Sequence, residues 1–241
     1  KYVLQTLVGS HAYGTATEES DRDEMRVFLA VPEHYLGLSN VKNSQKLVDG
    51  EDVQEYEFRH FVSLCLAFNP NVVVGLFVRP EHVLYSDQVG QTLRNNRYYF
   101  MSQRVYATFC GYAYSQHGRM LGTTTGKMGE KRKALKDKYG YDTKYAYHTI
   151  RLLRMCHECL NTGELNVHRA DGEELYRVRN GEFTLEQVEN TIKREKALCD
   201  EALALTKLPK SPDTEYINSL VTQLVFGHCD RTLNRTQPEW L

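Results

Sequence analysis

The chain has 241 residues, and its 30 Lys and Arg residues nearly balance its 31 Asp and Glu residues, so the net charge is −1. Because no bulk positive field would draw such a chain to nucleic acid or to a membrane surface, a site for a polyanion must come from local clustering. The length allows one large domain or two small ones, either with a substantial core.

Neither a membrane span nor a secretion signal is predicted from the apolar pattern. No apolar run approaches the roughly 20 residues that a spanning helix requires. The start, Lys1–Val3, lacks the long apolar centre of a signal peptide. The sequence therefore predicts a cytoplasmic protein with no membrane partner.

The first predicted elements are two strands around a glycine-containing turn. Tyr2–Val8 is rich in β-branched and apolar residues, and apolar residues alternate again over Met25–Val31. Between them lies the segment Gly9–Gly14, GSHAYG. Gly9 lets the backbone approach a ligand closely, and Ser10 offers a hydroxyl and a main-chain N–H. These are the groups that a small phosphate cradle needs.

Two acidic residues stand before the second strand. Asp21 and Asp23 are two positions apart, so on an extended chain their side chains point to the same face, about 7 Å apart. Such a pair can share oxygen-ligated divalent cations. A phosphate cradle that faces paired carboxylates predicts metal-assisted phosphoryl or nucleotidyl transfer. The alternative is that this Asp-x-Asp pair is a solvated strand end.

A further strand is predicted after the turn dipeptide Asp49-Gly50. Its alternation puts Asp52, Gln54 and Tyr56 on one face and Val53, Glu55 and Glu57 on the other. Each face of the strand therefore carries at least one carboxylate, and carboxylates on opposite faces cannot contribute to the same site. The alternative is a solvated acidic edge strand.

Helical signals dominate the rest of the chain. Apolar residues recur at helical spacing over Phe58–Phe68, and six further helices are predicted from Ser86 onward. They cover Asp87–Arg97, Tyr99–Leu121, Lys127–Lys138, Thr143–Asn161, Leu185–Thr206 and Thr214–Asn234. A strand-rich first part followed by a helix-rich second part predicts an α+β fold. We expect a first domain over 1–95, a helical domain over 96–241 and a nucleotide cleft between them.

Three potentially cationic residues share one face of the predicted helix Thr143–Asn161. Lys144, His148 and Arg151 are spaced i, i+4 and i+7, so their side chains emerge along one stripe. Their mutual repulsion favours a nearby anion, which predicts that the stripe faces the cleft and binds the triphosphate or an acceptor phosphate. The alternative is a solvated stripe, or one that pairs with acids such as Glu158.

A basic run from Lys127 to Lys138 is interrupted by Glu130 and Asp137. Such runs are typical of solvated helix faces with i,i+4 ion pairs. The alternative is a track for a polyphosphate acceptor such as an RNA end.

Six cysteines are scattered along the chain in a pattern that does not form a disulfide framework, so reduced thiols are predicted. They are Cys65, Cys110, Cys156, Cys159, Cys199 and Cys229. The sequence Cys156-His157-Glu158-Cys159 lies in a helical run without a second cysteine pair at zinc-ribbon spacing. This favours structural thiols over a metal site there.

The turn and acid motif resembles the signature of the DNA polymerase β-like nucleotidyltransferase superfamily, through Gly9-Ser10, Gly14 and Ser20-Asp21-x-Asp23 running into an apolar strand. Within it, the chain is similar to a bacterial and phage branch of predicted nucleotidyltransferases that includes forms found beside RNA ligases. Further motifs that resemble this branch are Tyr35–Leu38, Asn69–Val72, Gly140–His148 and Arg151–Leu153. The resemblance covers roughly the first 185 residues.

The resemblance implies a mixed sheet with helices, a helical C-terminal part, and two Mg²⁺ or Mn²⁺ ions held by three carboxylates. It implies that Asp21 and Asp23 ligate the metals, with a third acid on a neighbouring strand. Asp52 stands where the branch tends to have that acid. Glu55 and Glu57, on the other face of the same strand, compete with Asp52 for the role, and Glu57 is the next choice.

The resemblance also implies a set of nucleotide- and phosphate-binding residues. They are Gly9, Ser10, Lys144, His148 and Arg151. Relatives tend to have an acid near the position of Val74, and this chain departs from that pattern. The segment around Val74 is therefore left out of the predicted catalytic residues.

The sequence thus predicts a metal-dependent nucleotidyltransferase that moves an NMP from an NTP, ATP included, to an acceptor hydroxyl on an RNA end, a protein or a small molecule. One alternative is a toxin or antidefence effector that uses the same chemistry on a narrow target. Another is a non-catalytic nucleotide-binding relative. Ser10 together with Asp21 and Asp23 argues against the last, because binding alone does not require two acids that face a polyanion.

Overall fold

The computed structural model describes residues 1–18, 20–41, 44–48, 51–122 and 130–235. It has the α+β fold that the sequence predicts, in which a mixed sheet with helices is followed by a helical part. The turn predicted at Asp49-Gly50 and the beginning of the basic run at Lys127 lie outside the described residues.

In the described part of the chain, five strands form one sheet in the order β3-β4-β2-β1-β5. They are β1 (Tyr2–Leu7), β2 (Asp23–Phe28), β3 (Ser44–Val48), β4 (Glu51–Glu57) and β5 (Val83–Ser86). β2 runs parallel to β4, and the other neighbouring pairs are antiparallel. The central strand β2 buries Met25 and Val27 completely or nearly so, as expected for a strand with neighbours on both sides and apolar cover. Asp23 is the first residue of β2, so it lies at the end of a strand that has a hydrogen-bonded neighbour on each side.

Helices make up most of the remaining described residues. They are α1 (Gly9–Tyr13), α2 (Pro32–Leu36), α3 (Phe58–Leu66), α4 (Val74–Phe77), α5 (Gln88–Asn95), α6 (Gly111–Leu121), α7 (Glu130–Tyr139), α8 (Thr143–Thr162), α9 (Gly172–Arg179), α10 (Leu185–Leu205) and α11 (Thr214–Arg235). One turn of π-helix, Tyr106–Cys110, leads into α6. Throughout the described segments, no helix combines the length and the apolar character needed to cross a bilayer.

The helix α8 has clear sequence signals at both ends. The Asp142 carboxylate accepts hydrogen bonds from the backbone N–H groups of Lys144 and Tyr145 at 3.0 and 3.1 Å, which is a typical N-cap. Gly163 ends the helix in the left-handed conformation with φ 75°, where glycine has no steric penalty. The helix therefore begins and ends close to its predicted limits, which fixes the face that Lys144 presents.

The prediction of one helix over Tyr99–Leu121 is wrong in its first part. Residues Arg97–Phe100 form a short 3₁₀ turn. The backbone of this turn and of the residues after it forms hydrogen bonds with a distant segment. The Tyr99 carbonyl accepts from Asp213 N–H at 3.0 Å, and Gln103 N–H donates to the Pro209 carbonyl at 2.8 Å. Because these groups are used between segments, they are not available to a continuous helix. Strand β5 and helix α9 are absent from the sequence prediction.

Two apolar clusters form the core. The first lies against the sheet and joins β1, β2, α3 and α5, and α11 adds Ile217 to it. The second fills the helical part around α8 and α10, and it also includes Ala12 and Tyr13 of α1. The short helix α1 thus connects the sheet to the helical core, and the C-terminal helix returns to the sheet. A division into domains 1–95 and 96–241 stays a prediction.

Candidate active site

The predicted glycine turn is a one-turn helix, α1, which corrects the strand–turn–strand expectation. Gly9 opens it with φ +64°, and Gly14 ends it with φ +70°, a region that L-residues with a side chain rarely adopt. A Cβ atom built on Gly9 would overlap the Asp23 carboxylate, with the Asp23 Cγ only 3.0 Å away. The missing side chain at Gly9 therefore leaves the space that the Asp23 carboxylate occupies.

Asp23 and Asp52 stand side by side at the start of two parallel strands. They are direct partners in the β2–β4 pairing, and neighbouring strands lie about 4.8 Å apart. Both side chains line the same cavity. Asp21, exposed in the segment before β2, shares a second cavity with Asp23. The structure thus brings together the three carboxylates named from the sequence, with Asp23 between the other two.

The electrostatics of Asp23 are those of a carboxylate crowded by other carboxylates. Burial raises its pKa, and the nearby Asp52 and Asp21 carboxylates raise it further, while Lys144 and His11 act in the opposite direction. Burial and like charge both disfavour the ionised form. A cation at this position would therefore relieve an existing repulsion.

The competing acids of β4 already have structural partners. Glu55 is buried and accepts a hydrogen bond from the Tyr2 hydroxyl. Glu57 is buried as well, accepts from the Tyr35 hydroxyl at 2.6 Å and caps α3 through His60 N–H at 3.0 Å. Both lie on the face of β4 opposite Asp52. The geometry therefore favours Asp52 over Glu55 and Glu57 as the third acid.

The cationic stripe of α8 faces the carboxylates. Lys144 is exposed and lines the cavity that holds Asp21 and Asp23. His148, one turn further along, lines this cavity and also the one that holds Asp52. Glu158 does not neutralise the stripe, because its carboxylate binds Arg169 through both oxygens at 2.5 and 2.7 Å.

Arg151 differs from the rest of the stripe because its side chain is buried. Only 4 % of the residue is exposed, and its guanidinium carbon lies 3.7 Å from the centre of the Tyr13 ring, a cation–π geometry. Its Nη1 contacts the Met155 sulfur at 3.4 Å, and its Nε has no hydrogen-bond partner among the described residues. Arg151 thus lies at the wall of the Asp52 cavity, on the cleft side as the sequence predicts, but as a buried cation covered by an aromatic ring rather than as an open fork.

Two cavities meet at Gly9, Tyr13, Asp23 and His148. The first, here called the amide lobe, has a volume of about 370 Å³ and is lined by the side-chain amides Gln54, Asn69, Asn71 and Gln116, by Tyr56 and Tyr112, and by Asp52 and Arg151. The second, here called the polar lobe, has a volume of about 310 Å³ and is lined by Ser10, Ser20, Asp21, Lys144, Tyr147 and Arg179.

Several of these cavity residues were missed from the sequence. Gln116 is 4 % exposed, and its Nε2 has no hydrogen-bond partner within the part of the chain that the structure describes. A buried donor of this kind is costly unless something binds it. Arg179 stands in the last turn of α9, a helix that was not predicted. Only the folded chain brings Gln116 and Arg179 beside Asp23. Val74, near which the resemblance implies an acid, is a buried apolar part of the amide-lobe wall.

The donor set fits a hard divalent cation. Carboxylate oxygens are the ligands that Mg²⁺ and Mn²⁺ prefer, and Asp21, Asp23 and Asp52 supply them from one cleft. Burial and, after it, the neighbouring Asp52 and Asp21 carboxylates raise the pKa of Asp23, and a bound cation would favour its ionised form. The residues that would hold such an ion are therefore these three.

The chain belongs to the RNA repair pathway DNA polymerase beta family, RlaP, because the model of that family matches residues 1–223. The superfamily inferred from the motifs at Gly9 and Asp21 is thereby confirmed.

Two individual proteins are similar to this chain. An "Uncharacterized 38.9 kDa protein in nrdC-mobD intergenic region" of Enterobacteria phage T4 is 29% identical over 148 residues, covering 57% of this chain and 42% of that protein. The chain therefore matches less than half the length of this relative. A crystal structure of a nucleotidyltransferase-like protein from Exiguobacterium sibiricum covers 85% of this chain and 69% of that one, with 12% identity and a TM-score of 0.28. A score this low does not establish a shared fold.

Proposed function

We propose that the protein is a metal-dependent nucleotidyltransferase that transfers an NMP from an NTP to an acceptor hydroxyl. The observation that carries this proposal is the placement of Asp23 between Asp21 and Asp52, opposite Lys144 and His148. The acceptor oxygen bonds to the α-phosphorus, the bond from that phosphorus to the β-phosphate oxygen breaks, and pyrophosphate leaves. The acceptor proton passes to a base or to solvent.

Metal ions bound at the three carboxylates would polarise the phosphate oxygens and lower the pKa of the acceptor hydroxyl. The protein side chains mainly position the reactants and offset charge. Lys144 and Arg179 give the polar lobe its positive charge, and Ser10 offers a hydroxyl and an N–H there. The polar lobe therefore suits the β- and γ-phosphates. His148 lies at the junction of the lobes, where it can donate to a phosphate oxygen or relay the acceptor proton.

The amide lobe suits the nucleoside part of the NTP. Its amides offer paired donors and acceptors, which match the edge of a nucleobase, and Tyr56 and Tyr112 provide aromatic surface. The Tyr56 hydroxyl holds the Gln54 carbonyl oxygen at 2.7 Å, and the Asn71 amide donates to the Tyr112 hydroxyl at 3.2 Å. Gln116 keeps an unused donor, so we assign it to base recognition.

Replacing Lys144 by alanine should weaken apparent NTP affinity or slow transfer by tenfold or more, since a hydrogen bond to a charged group is worth roughly 1.5–3 kcal/mol. Steady-state kinetics at varied NTP concentration measure the apparent NTP affinity and the rate of transfer. Lys144 is exposed, so the fold should be unaffected. Lys193→Ala, at an exposed position of α10 that lines neither lobe, is the matched control. Normal kinetics of Lys144→Ala would contradict a role of Lys144 in NTP binding and would favour the alternative of a solvated surface residue.

Arg151→Ala is less informative, because removing a buried side chain also changes stability.

Replacing Gln116 by leucine should lower affinity for the preferred NTP about fivefold, the loss of roughly 1 kcal/mol for one neutral hydrogen bond. The ligand-free variant should be as stable as wild type or more so, because leucine removes a buried donor without a partner. Competition among the four NTPs and thermal melts give the two readouts. Inorganic triphosphate should bind both proteins equally. A change in acceptor affinity with unchanged NTP preference would assign the amide lobe to the acceptor instead.

The acceptor is best sought among nucleic acids first, since the family description places the family in RNA repair. The deciding experiment incubates the protein with each α-labelled NTP, Mg²⁺ or Mn²⁺, and RNA, DNA or protein fractions, and asks which fraction gains label. Label in RNA ends supports an RNA acceptor. Label confined to one protein or one tRNA would favour the narrow-target effector. Binding of NTP without transfer to any fraction would contradict the enzymatic proposal.

A further inference from the structure

Three cysteines far apart in sequence converge inside the helical part of the protein. Cys110 ends the π-helical turn before α6, Cys156 lies in the middle of α8, and Cys199 lies in α10. Their sulfur atoms all lie within 4.8 Å of one another. We call this set the thiol cluster. It is separate from the carboxylate cleft, and the sequence, which favours structural thiols, does not predict that these three cysteines meet.

The spacing of the thiol cluster is close to that of a metal–thiolate site. Zinc–sulfur bonds of about 2.3 Å at tetrahedral angles place neighbouring sulfurs about 3.8 Å apart. The Cys110 and Cys156 sulfurs are 3.7 Å apart, and Cys199 lies within 4.8 Å of both. Closing the set around one ion therefore needs a shift of about 1 Å, which thiol side chains can make by small rotations.

The surroundings distinguish the thiol cluster from the other cysteines. Cys159 is equally buried in the same helix, at 0 % exposure, but it is not a member of the set. The motif Cys156-His157-Glu158-Cys159 is therefore not a chelate, and Glu158 is engaged with Arg169. A π-helical turn interrupts the regular hydrogen bonding of an α-helix and often marks a functional position. In this protein the π-helical turn ends at Cys110, a member of the thiol cluster.

Two thiols of the cluster donate to backbone carbonyls that also have other donors. The Cys156 thiol lies 3.8 Å from the Val105 carbonyl, which also accepts from the Thr108 hydroxyl at 3.5 Å. The Cys199 thiol donates to the Leu153 carbonyl at 3.2 Å. That carbonyl lies in the interior of α8, where it also accepts from the helix backbone. Beside Cys110, the Lys196 ammonium is held at 2.5 Å from Asp200 and at 3.1 Å from the Tyr106 hydroxyl. At this edge, where Cys110 is 8 % exposed, the Lys196 ammonium favours a Cys110 thiolate and the paired Asp200 carboxylate disfavours it, so the ion pair adds no net charge to balance the thiolates.

We propose that Cys110, Cys156 and Cys199 bind one thiophilic d¹⁰ cation, Zn²⁺ or Cu⁺, as thiolates. Soft thiolate ligands select these ions over the hard cations of the carboxylate cleft. Binding forms three metal–sulfur bonds, releases three protons to solvent and changes no oxidation state. The ion would tie the π-helical turn to α8 and α10, so it would stabilise the helix that carries Lys144 and His148. This inference does not depend on the proposed function.

The test uses the full chain, reduced and freed of metal, with Cd²⁺ as a spectroscopic probe. The thiolate-to-cadmium ultraviolet band, which carboxylates do not produce, should saturate at one thiolate-bound Cd²⁺ per chain. Zn²⁺ and Cu⁺ are then added in separate arms, and displacement of Cd²⁺ identifies the ion that the site prefers. Thermal melts should show stabilisation by the bound ion.

Matched variants locate the site. Cys156→Ala and Cys110→Ala should each weaken Cd²⁺ binding at least tenfold, whereas Cys159→Ala should keep the band and the stoichiometry. Cys110 stands at the exposed edge of the set, so its variant keeps the test valid if the Cys156 variant does not fold. A wild-type protein without the band, equal loss of the band in Cys159→Ala, or a Cys110–Cys156 disulfide found by mass spectrometry under the purification conditions would overturn the proposal.

Discussion

Asp23→Asn is expected to abolish nucleotidyl transfer and, without metal, to raise the midpoint of thermal unfolding. Loss of transfer follows because Asp23 lies between Asp21 and Asp52 and contributes to both lobes of the cleft. Higher stability follows because the variant removes a carboxylate that is partly buried and repelled by its two neighbours. Loss of activity with a gain in stability is the opposite of what a simple folding defect produces.

The stability gain should depend on pH in a defined direction. The folded-state pKa of Asp23 is raised above its unfolded value, so folding favours the protonated form. This favourable contribution is complete below the unfolded pKa of about 3.9 and is lost as the pH rises through the folded pKa. The stability difference between Asp23→Asn and wild type should therefore be largest near neutral pH and should shrink as the pH falls towards 4.

Melting curves with and without Mg²⁺ complete the test of Asp23. Metal should stabilise wild type, because it binds the folded state alone, and should have little effect on Asp23→Asn. Asp137→Asn, at an exposed position of α7, serves as the charge-matched control and should change neither transfer nor the response to metal. Wild-type transfer by Asp23→Asn would refute the assignment of Asp23 as a metal ligand.

The parts of the site that the sequence predicted are those that local chemistry determines. The glycines and the Asp-x-Asp spacing locate the turn and the start of β2, and strand alternation separates Asp52 from Glu55 and Glu57. Helical spacing places Lys144, His148 and Arg151 on one face of α8. Each of these inferences uses neighbours within a few residues along the chain.

The parts that were missed depend on contacts between distant segments. Gln116 is an ordinary polar residue of α6 until packing buries it at the amide lobe, where its Nε2 meets no hydrogen-bond partner among the described residues. Helical spacing places Arg151 on the cleft-facing stripe, but it does not show that the ring of Tyr13, from the other end of the sequence, covers its guanidinium. The thiol cluster joins positions up to 89 residues apart, counted from Cys110 to Cys199. No periodic pattern encodes such distances.

Gly9→Ala is expected to lower transfer about 10²-fold, although the substitution adds one methyl group and no charge. That methyl group would occupy the space of the Asp23 carboxylate, and a displacement of about 1 Å at reacting groups can cost this much. The positive φ of Gly9 adds roughly 1–2 kcal/mol of backbone strain. Transfer rates and denaturant unfolding measure the two effects separately.

Gly140→Ala isolates the strain from the displacement of Asp23. Gly140 also has a positive φ, of +81°, but a Cβ atom there meets nothing within 4 Å. The Gly140→Ala variant should therefore lose about as much stability as strain alone costs Gly9→Ala, and it should keep its transfer activity. In an Asp23→Ala background the added methyl group has no carboxylate to displace, so the stability cost of Gly9→Ala should fall towards that of Gly140→Ala. If Gly9→Ala and Gly140→Ala lose activity equally, backbone strain is the cause, and Gly9 does not act by making room for the Asp23 carboxylate.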